Sequence, residues 1–520
     1  MTTTNVAWGV LAVLALIGPA AGNAAPKKKP PIPKPVPKAV QAAPVDPKIE
    51  TIAVPSPNSP MVAVRLLFRV GSMDDPAGKE GLAALTGLML GQAGTTERSY
   101  ADLVEALYPM AASIDVVTDR EVTTITGLVH RDKLADYTAL LVEALTRPGF
   151  IPADFERNKE QLQVSLTTTL RATNDELLGL EAIQGAIFPG HPYAHASEGT
   201  VQGLKNVTLD DVKRFYLESF TRSRLLLGVG GGYPEGWISQ LKTGLAKLPL
   251  GVSVARELPA PPSVLGRRIT LIEKATDSVG LHFGFPLPLT RADADYYPLL
   301  VAASFLGEHR TSHGVLYEEL REKRGLNYGD YAYVEYYPLP PYTNTPTPGS
   351  PRRQQYFSLW LRPVKPADAQ FALRGALYEL DKLIRDGMKP ADFELTRSFL
   401  TNYTKLWTQT LSDRLGFALD SRYYGMSPFI DEIDQRLAKI TVDDVNRAIR
   451  KYLQTGNLRI VLVTANAADL KAGLERDLPV PKKYGTEVSA DLLAEDELIQ
   501  RTKIKPAAVE IVPVEQMFEK

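Results

Sequence analysis

Two histidine pairs have the plainest metal-ligand spacing in the chain. His309 and His313, in GEHRTSH, lie four residues apart, with Glu308 adjacent. On a helix they would share a face and could share a metal ion. The plainer reading is a pair of solvent-exposed histidines. His191 and His195, in HPYAH, have the same spacing. Pro192 argues against a regular helix there, although a first helical turn would admit it, so no metal pair is expected. GVGGGYPEG, residues 228–236, is glycine-rich after a strand. It lacks a third glycine at dinucleotide spacing, a phosphate-loop lysine and a following helix with the correct opening, and reads as a loop. No G-x-S-x-G elbow occurs. The absence of cysteine excludes a thiol nucleophile, a disulfide framework and a Cys-ligated zinc.

These residues need elements to position them. A chain of 520 residues suits two domains of about 200 residues each. It is 44% hydrophobic and 23% charged, which is ordinary for a soluble globular protein. The net charge of −1 offers no basic face for nucleic acid. Residues 6–21 carry no charge and precede Gly22-Asn23-Ala24, a small-x-small pattern. Residues 1–24 therefore read as a signal peptide cut after Ala24, giving a periplasmic or secreted protein. No Lys or Arg precedes the apolar run, so the alternative is an uncleaved anchor. Against an anchor, the run is short and contains Gly9 and Pro19. No later stretch is long and apolar enough to span a bilayer. Residues 25–48 form a linker, and six prolines and five lysines between 26 and 38 suit an extended, solvated spacer.

The remainder repeats itself. PADFE occurs at Pro152–Glu156 and Pro390–Glu394, and VTLDDV at Val207–Val212 matches ITVDDV at Ile440–Val445. Each of the latter leads through a helix into an apolar strand, RLLLGVGG at 224–231 and LRIVLVTA at 458–465. Val64–Phe68 matches Val279–Phe283. The order is the same in both halves, so one domain is duplicated. The spacing grows after the first strand, which the Pro-rich segment 338–355 explains as an insertion. The expected domains are 49–250 and 267–478, joined by 251–266 and followed by an extension, 479–520. Strands are expected at 62–70, 112–118, 121–129 and 224–230 of the first half. Helices are expected at 80–93, 98–110, 132–147, 152–185 and 208–220. The class is α+β: two homologous domains, each an antiparallel-rich mixed sheet packed with helices. In the extension, LLAEDELIQ suggests a short helix and VEIVPVEQMF a short strand, either docked or frayed.

Four stretches carry a family resemblance: RVGSMDDPAGKEGLA, residues 182–220, residues 305–337 and ITVDDVNRAIRKYL. Over roughly residues 49–478 the chain resembles the pitrilysin/insulinase peptidases, the inverted-motif zincins. It is most similar to bacterial members related to mitochondrial processing peptidase. The resemblance implies the LuxS/insulinase-like metallohydrolase fold. In that family the first helix carries H-x-x-E-H, whose histidines bind zinc and whose Glu activates water. Here that helix is GLAALTGLMLGQAGT, residues 81–95, and the corresponding positions are Ala84, Gly87 and Leu88. The third ligand, a downstream Glu, falls near Thr167, with no acid from Val164 to Leu170. None of the four can bind zinc or activate water as the family residues do.

The resemblance also implies a role for Arg321 and Tyr328 in LREKRGLNY. The family uses an Arg and a Tyr at that spacing to bind the substrate backbone beside a zinc supplied by the other domain or subunit. A guanidinium donates to a peptide carbonyl, and a phenol to the oxyanion formed by water attack. The expected function is thus a non-catalytic subunit of a heterodimeric zinc metalloendopeptidase, with no cofactor of its own. Its partner is a homologous H-x-x-E-H chain that holds the zinc, and its substrate is a peptide. The rivals are an envelope scaffold or peptide-binding protein that has lost peptidase function, and an independent hydrolase with a new metal site at His309 and His313.

Overall fold

Among the described residues, eleven strands form two sheets. The computed structural model describes residues 49–251, 256–308, 313–338 and 345–520. The expected signal peptide and linker lie outside them, and among the described residues no helix is long and apolar enough to cross a membrane. The strands are β1 (Glu50–Pro55), β2 (Met61–Phe68), β3 (Asp115–Thr118), β4 (Thr123–His130), β5 (Leu225–Gly231), β6 (Arg267–Glu273), β7 (Val279–Leu287), β8 (Gly329–Tyr333), β9 (Gln355–Val364), β10 (Leu458–Thr464) and β11 (Pro506–Pro513). The first sheet has the order β1-β5-β2-β4-β3 and the second β11-β6-β10-β7-β9-β8. Each has one parallel pair of the shared pattern, β1 with β5 and β6 with β10, and is otherwise antiparallel. The second sheet is the first repeated, with β11 added in parallel on its edge.

The duplication is therefore structural as well as sequential. Its register differs slightly from the one read in the sequence. Val64 pairs with Val229 of β5, whereas Leu281, two residues beyond Val279, pairs with Leu462 of β10. The insertion lies between β8 and β9, where the first half has only a short turn between β3 and β4.

The strand β2 shows why the halves interlock. Val62, Val64, Leu66 and Phe68 face the first half's helices. The opposite face carries Ala63 and Leu67, which a one-sided sheet would expose. They pack instead with Leu226 against Leu415 and Leu419 of the helix Leu411–Tyr423, from the second half. Gly228 and Gly230 let that helix approach, since a Cβ at Gly228 would sit 2.7 Å from Leu419. The glycine-rich stretch is thus a landing surface for a helix. The helix that follows it, Trp237–Leu245, opens at Gly236 without a side-chain cap. The second half is treated alike: Leu178, Ile183 and Ile187 of the helix Asp175–Ile187 pack on Ile272, Val461 and Val463 of its sheet. Each half covers the other, and all described residues belong to one compact unit.

The expected helix 152–185 is three pieces. Pro152–Val164 is α-helical, Ser165–Thr173 widens to a π-helix, and Asn174 caps Asp175–Ile187 through its bond from the Leu177 amide, 3.0 Å. The extension is docked. It supplies the helix Ala490–Arg501 and the strand β11. It then crosses to the first half, where Arg171 donates to Met517 O (2.6 Å) and pairs with Glu519 (2.8 Å).

Candidate substrate-binding pair and the closed zinc helix

The helix Leu82–Gly91 is buried along its whole length. Its start is fixed by Asp75, whose carboxylate accepts from the amides of Gly81 and Ala83, both at 2.7 Å. These bonds satisfy amides that a helix N-terminus leaves open. Gly81 stands at φ 108° and supplies the turn into the helix. Ala84 and Leu88 lie in the same apolar cluster as Leu166 and Leu170 of the π-helical segment. Gly87 faces β3 and β4: a Cβ there would meet Thr118 Oγ1 at 3.0 Å, Val116 at 3.2 Å and Thr123 at 3.3 Å. Thr167 spends its hydroxyl on Gln163 O, 2.8 Å, within its own helix. Ala84, Gly87 and Leu88 form closed packing, Thr167 is half-buried with its hydroxyl engaged, and with no ligand set among the four zinc does not fit them.

Arg321 and Tyr328 are brought together. Arg321 lies in a second π-helical segment, Tyr317–Glu322, and Tyr328 immediately precedes β8, the edge of the second sheet. The Arg321 guanidinium sits 4.5 Å from the Tyr328 ring centroid and 4.7 Å from that of Tyr317. This sandwich orients the cation without an anion on its face; the nearest carboxylate, Glu322, is 3.9 Å away. Tyr328 is 64% exposed. Beneath it, Asn327 donates to Asp330 at 3.0 Å, and burial pushes the Asp330 carboxyl up to about 6. The arrangement holds a half-buried guanidinium against an exposed phenol, and both carry donors that suit a bound peptide backbone.

Of the two histidine pairs, only His191 and His195 are both among the described residues, and they point to different partners. His313 is exposed, 3.8 Å from Glu318, and His309 lies outside the described residues. Glu308 is buried, and desolvation raises its carboxyl to about 7. His191 shares its ring between Pro259 O (3.1 Å) and the Tyr193 amide (3.1 Å), while His195 turns to Asp75, 3.2 Å.

Sequence reasoning missed a polar seam between the halves. Arg352 and Arg353, from the Pro-rich insertion, reach Asp119 and Glu121 in the turn between β3 and β4. The only available signal was an acidic turn, DRE, opposite a basic RR at matching places in the repeat.

His282 of β7 lies against the Asp175–Ile187 helix, where a Cβ on Gly179 would come within 2.0 Å of its ring. Neither ring nitrogen has a hydrogen-bond partner among the described residues. Desolvation, reinforced by Arg362, holds its pKa down at about 3. The unfolded chain protonates this imidazole near pH 6.5 and the folded chain only near 3. Between those values the unfolded state holds the extra proton, so stability falls as pH falls, by up to a few kcal/mol at about 1.4 per pH unit. Above pH 6.5 the group contributes no slope. His282→Leu should therefore gain on the wild type steadily from pH 6.5 downward, measured by urea midpoints from pH 7 to 4. A constant difference across that range would refute this assignment.

The duplicated α+β architecture, in which each half's sheet is covered by a helix of the other, defines a two-domain fold class. The family is settled by comparison. Residues 51–198 match the model "Insulinase (Peptidase family M16)", and residues 206–400 match "Peptidase M16 inactive domain". The chain belongs to peptidase family M16. It is 22% identical over 412 residues to the "Non-peptidase homolog YmxG" of Helicobacter pylori, covering 79% of this chain and 90% of that one. It is also 22% identical to an uncharacterized zinc protease of Streptomyces coelicolor, covering 78% and 85%. A peptidase M16 inactive domain from Pseudomonas fluorescens shares the fold, with a TM-score of 0.70 at 21% identity over 79% of this chain and 94% of that one.

Proposed function

We propose that this chain is the non-catalytic subunit of a heterodimeric zinc peptidase of the periplasm or the secreted fraction. A homologous partner carrying H-x-x-E-H holds the zinc, and this chain lends Arg321 and Tyr328 to that partner's substrate site. The observation that carries the reading is an asymmetry. The helix at the zinc position is closed packing, whereas Tyr328 is exposed and the half-buried Arg321 is stacked on its ring. The guanidinium would hold a substrate carbonyl, and the phenol would donate to the developing oxyanion.

The test is reconstitution with the H-x-x-E-H homologue from the same genome, identified by native pull-down of the tagged chain. Arg321→Ala and Tyr328→Phe are each expected to lower peptide turnover by about 10²-fold, the scale of losing one oxyanion donor. The melting temperature should stay unchanged. Recovery of no such homologue, or unchanged turnover in both variants, would favour a scaffold role.

A further inference from the structure

Glu319, Glu379 and Glu495 bring one carboxylate oxygen each within 4.8 Å of one another. They come from the Tyr317–Glu322 segment, the helix Ala369–Asp386 and the extension helix Ala490–Arg501. The buried guanidinium of Arg324 holds Oε2 of Glu319 (3.2 Å) and Oε2 of Glu495 (2.9 Å), and also pairs with Asp496 (2.7 Å). The other oxygens of Glu319 and Glu495 are met by lysines reaching in from solvent. Lys323 lies 2.7 Å from Glu319 Oε1 and Lys382 lies 3.0 Å from Glu495 Oε1; their side chains are 48% and 37% exposed. Glu379 differs. Its side chain is 1% exposed, and its Oε1 has no hydrogen-bond partner among the described residues. Its Oε2 sees Lys382 only at 3.8 Å. Desolvation lifts this carboxyl to about 7 against the opposing pull of Lys382. A pocket of about 390 Å³ opens onto Glu319, Glu379 and Lys382.

We propose that Glu319, Glu379 and Glu495 form a calcium site, entered when Lys323 and Lys382 swing out to solvent. An all-oxygen, all-carboxylate set selects a hard cation. Three protein carboxylates from three separate segments suit Ca²⁺, which accepts flexible coordination, better than Mg²⁺, which demands near-ideal octahedral geometry and keeps several of its waters. Arg324 keeps its grip on the second oxygen of two ligands and so orients them. Water from the pocket completes the coordination. Displacing two ammonium groups makes the site weak, with Kd on the order of 10⁻⁴–10⁻³ M. Bound calcium would tie the segment that presents Arg321 to the C-terminal extension.

The experiment is equilibrium dialysis of the whole, chelator-treated chain against radioactive CaCl₂, with thermal melts in CaCl₂ and MgCl₂. One saturable calcium site is expected, and a melting temperature that rises more with calcium than with magnesium. Glu379→Gln should fold as well as wild type without calcium and lose the site. Lys382→Met, which removes a competing cation, should bind calcium at least ~5-fold more tightly. No saturable binding below about 10 mM, an intact site in Glu379→Gln, or no gain in Lys382→Met would each overturn the proposal.

Discussion

Replacing Arg352 by methionine should lower the unfolding free energy by about 3–5 kcal/mol, the cost of leaving one partner of a buried ion pair alone. Arg352 is 1% exposed. Its Nε and one terminal nitrogen meet the two oxygens of Asp119 at 2.8 and 2.6 Å, and the other terminal nitrogen donates to Gln184 at 2.7 Å. The guanidinium also lies 3.5 Å from the Tyr336 ring centroid. Methionine preserves most of the side-chain volume but leaves Asp119, itself buried, without its bidentate donor. Asp119→Asn in the same chain removes the stranded charge and should restore more than half of the loss, a coupling that a double-mutant cycle in urea measures directly. A loss below about 1 kcal/mol for Arg352→Met would show that Asp119 finds another cation. Because the pair joins the insertion of the second half to the β3–β4 turn of the first, both sheets should lose stability together.

Restoring the zinc motif should fail. Ala84→His, Gly87→Glu and Leu88→His together are expected to cost at least ~5 kcal/mol and to bind no stoichiometric zinc. Gly87→Glu dominates. Its Cβ already crowds Thr118, Val116 and Thr123, and its carboxylate would enter a fully buried face. Overpacking and an unpaired buried charge each cost several kcal/mol. Leu88→His exchanges apolar burial for a polar ring in the cluster shared with Leu166 and Leu170. The third ligand position would still be Thr167, in a π-helix. Circular dichroism melts and elemental analysis of the purified triple variant decide the matter. A folded variant with one zinc per chain would show that the face can open.

Much of this was legible in the order of residues. The repeat, the lost ligands at Ala84, Gly87 and Leu88, and the Arg321–Tyr328 spacing are local patterns, and a local pattern survives without coordinates. The register was less so. Val279 and Leu281 are both apolar residues on the same face of β7, and a strand's side-chain period of two makes such a shift invisible to hydrophobic matching. The short strand β1 was missed because its partner β5 lies far away in sequence and pairs in parallel.

By itself, the sequence determined the fold class and the duplication, because these depend on which side chains stand at fixed intervals along helices and strands, and its four motif stretches carried the family resemblance. Only the tertiary structure decided that each half's sheet is covered by a helix of the other half. It alone placed Arg352 and Arg353 on Asp119 and Glu121, docked the extension and gathered Glu319, Glu379 and Glu495. An arginine pair in a Pro-rich loop reads as solvated until the chain closes over it. Its counter-ions lie more than 200 residues away, and burial is a property of the closed chain.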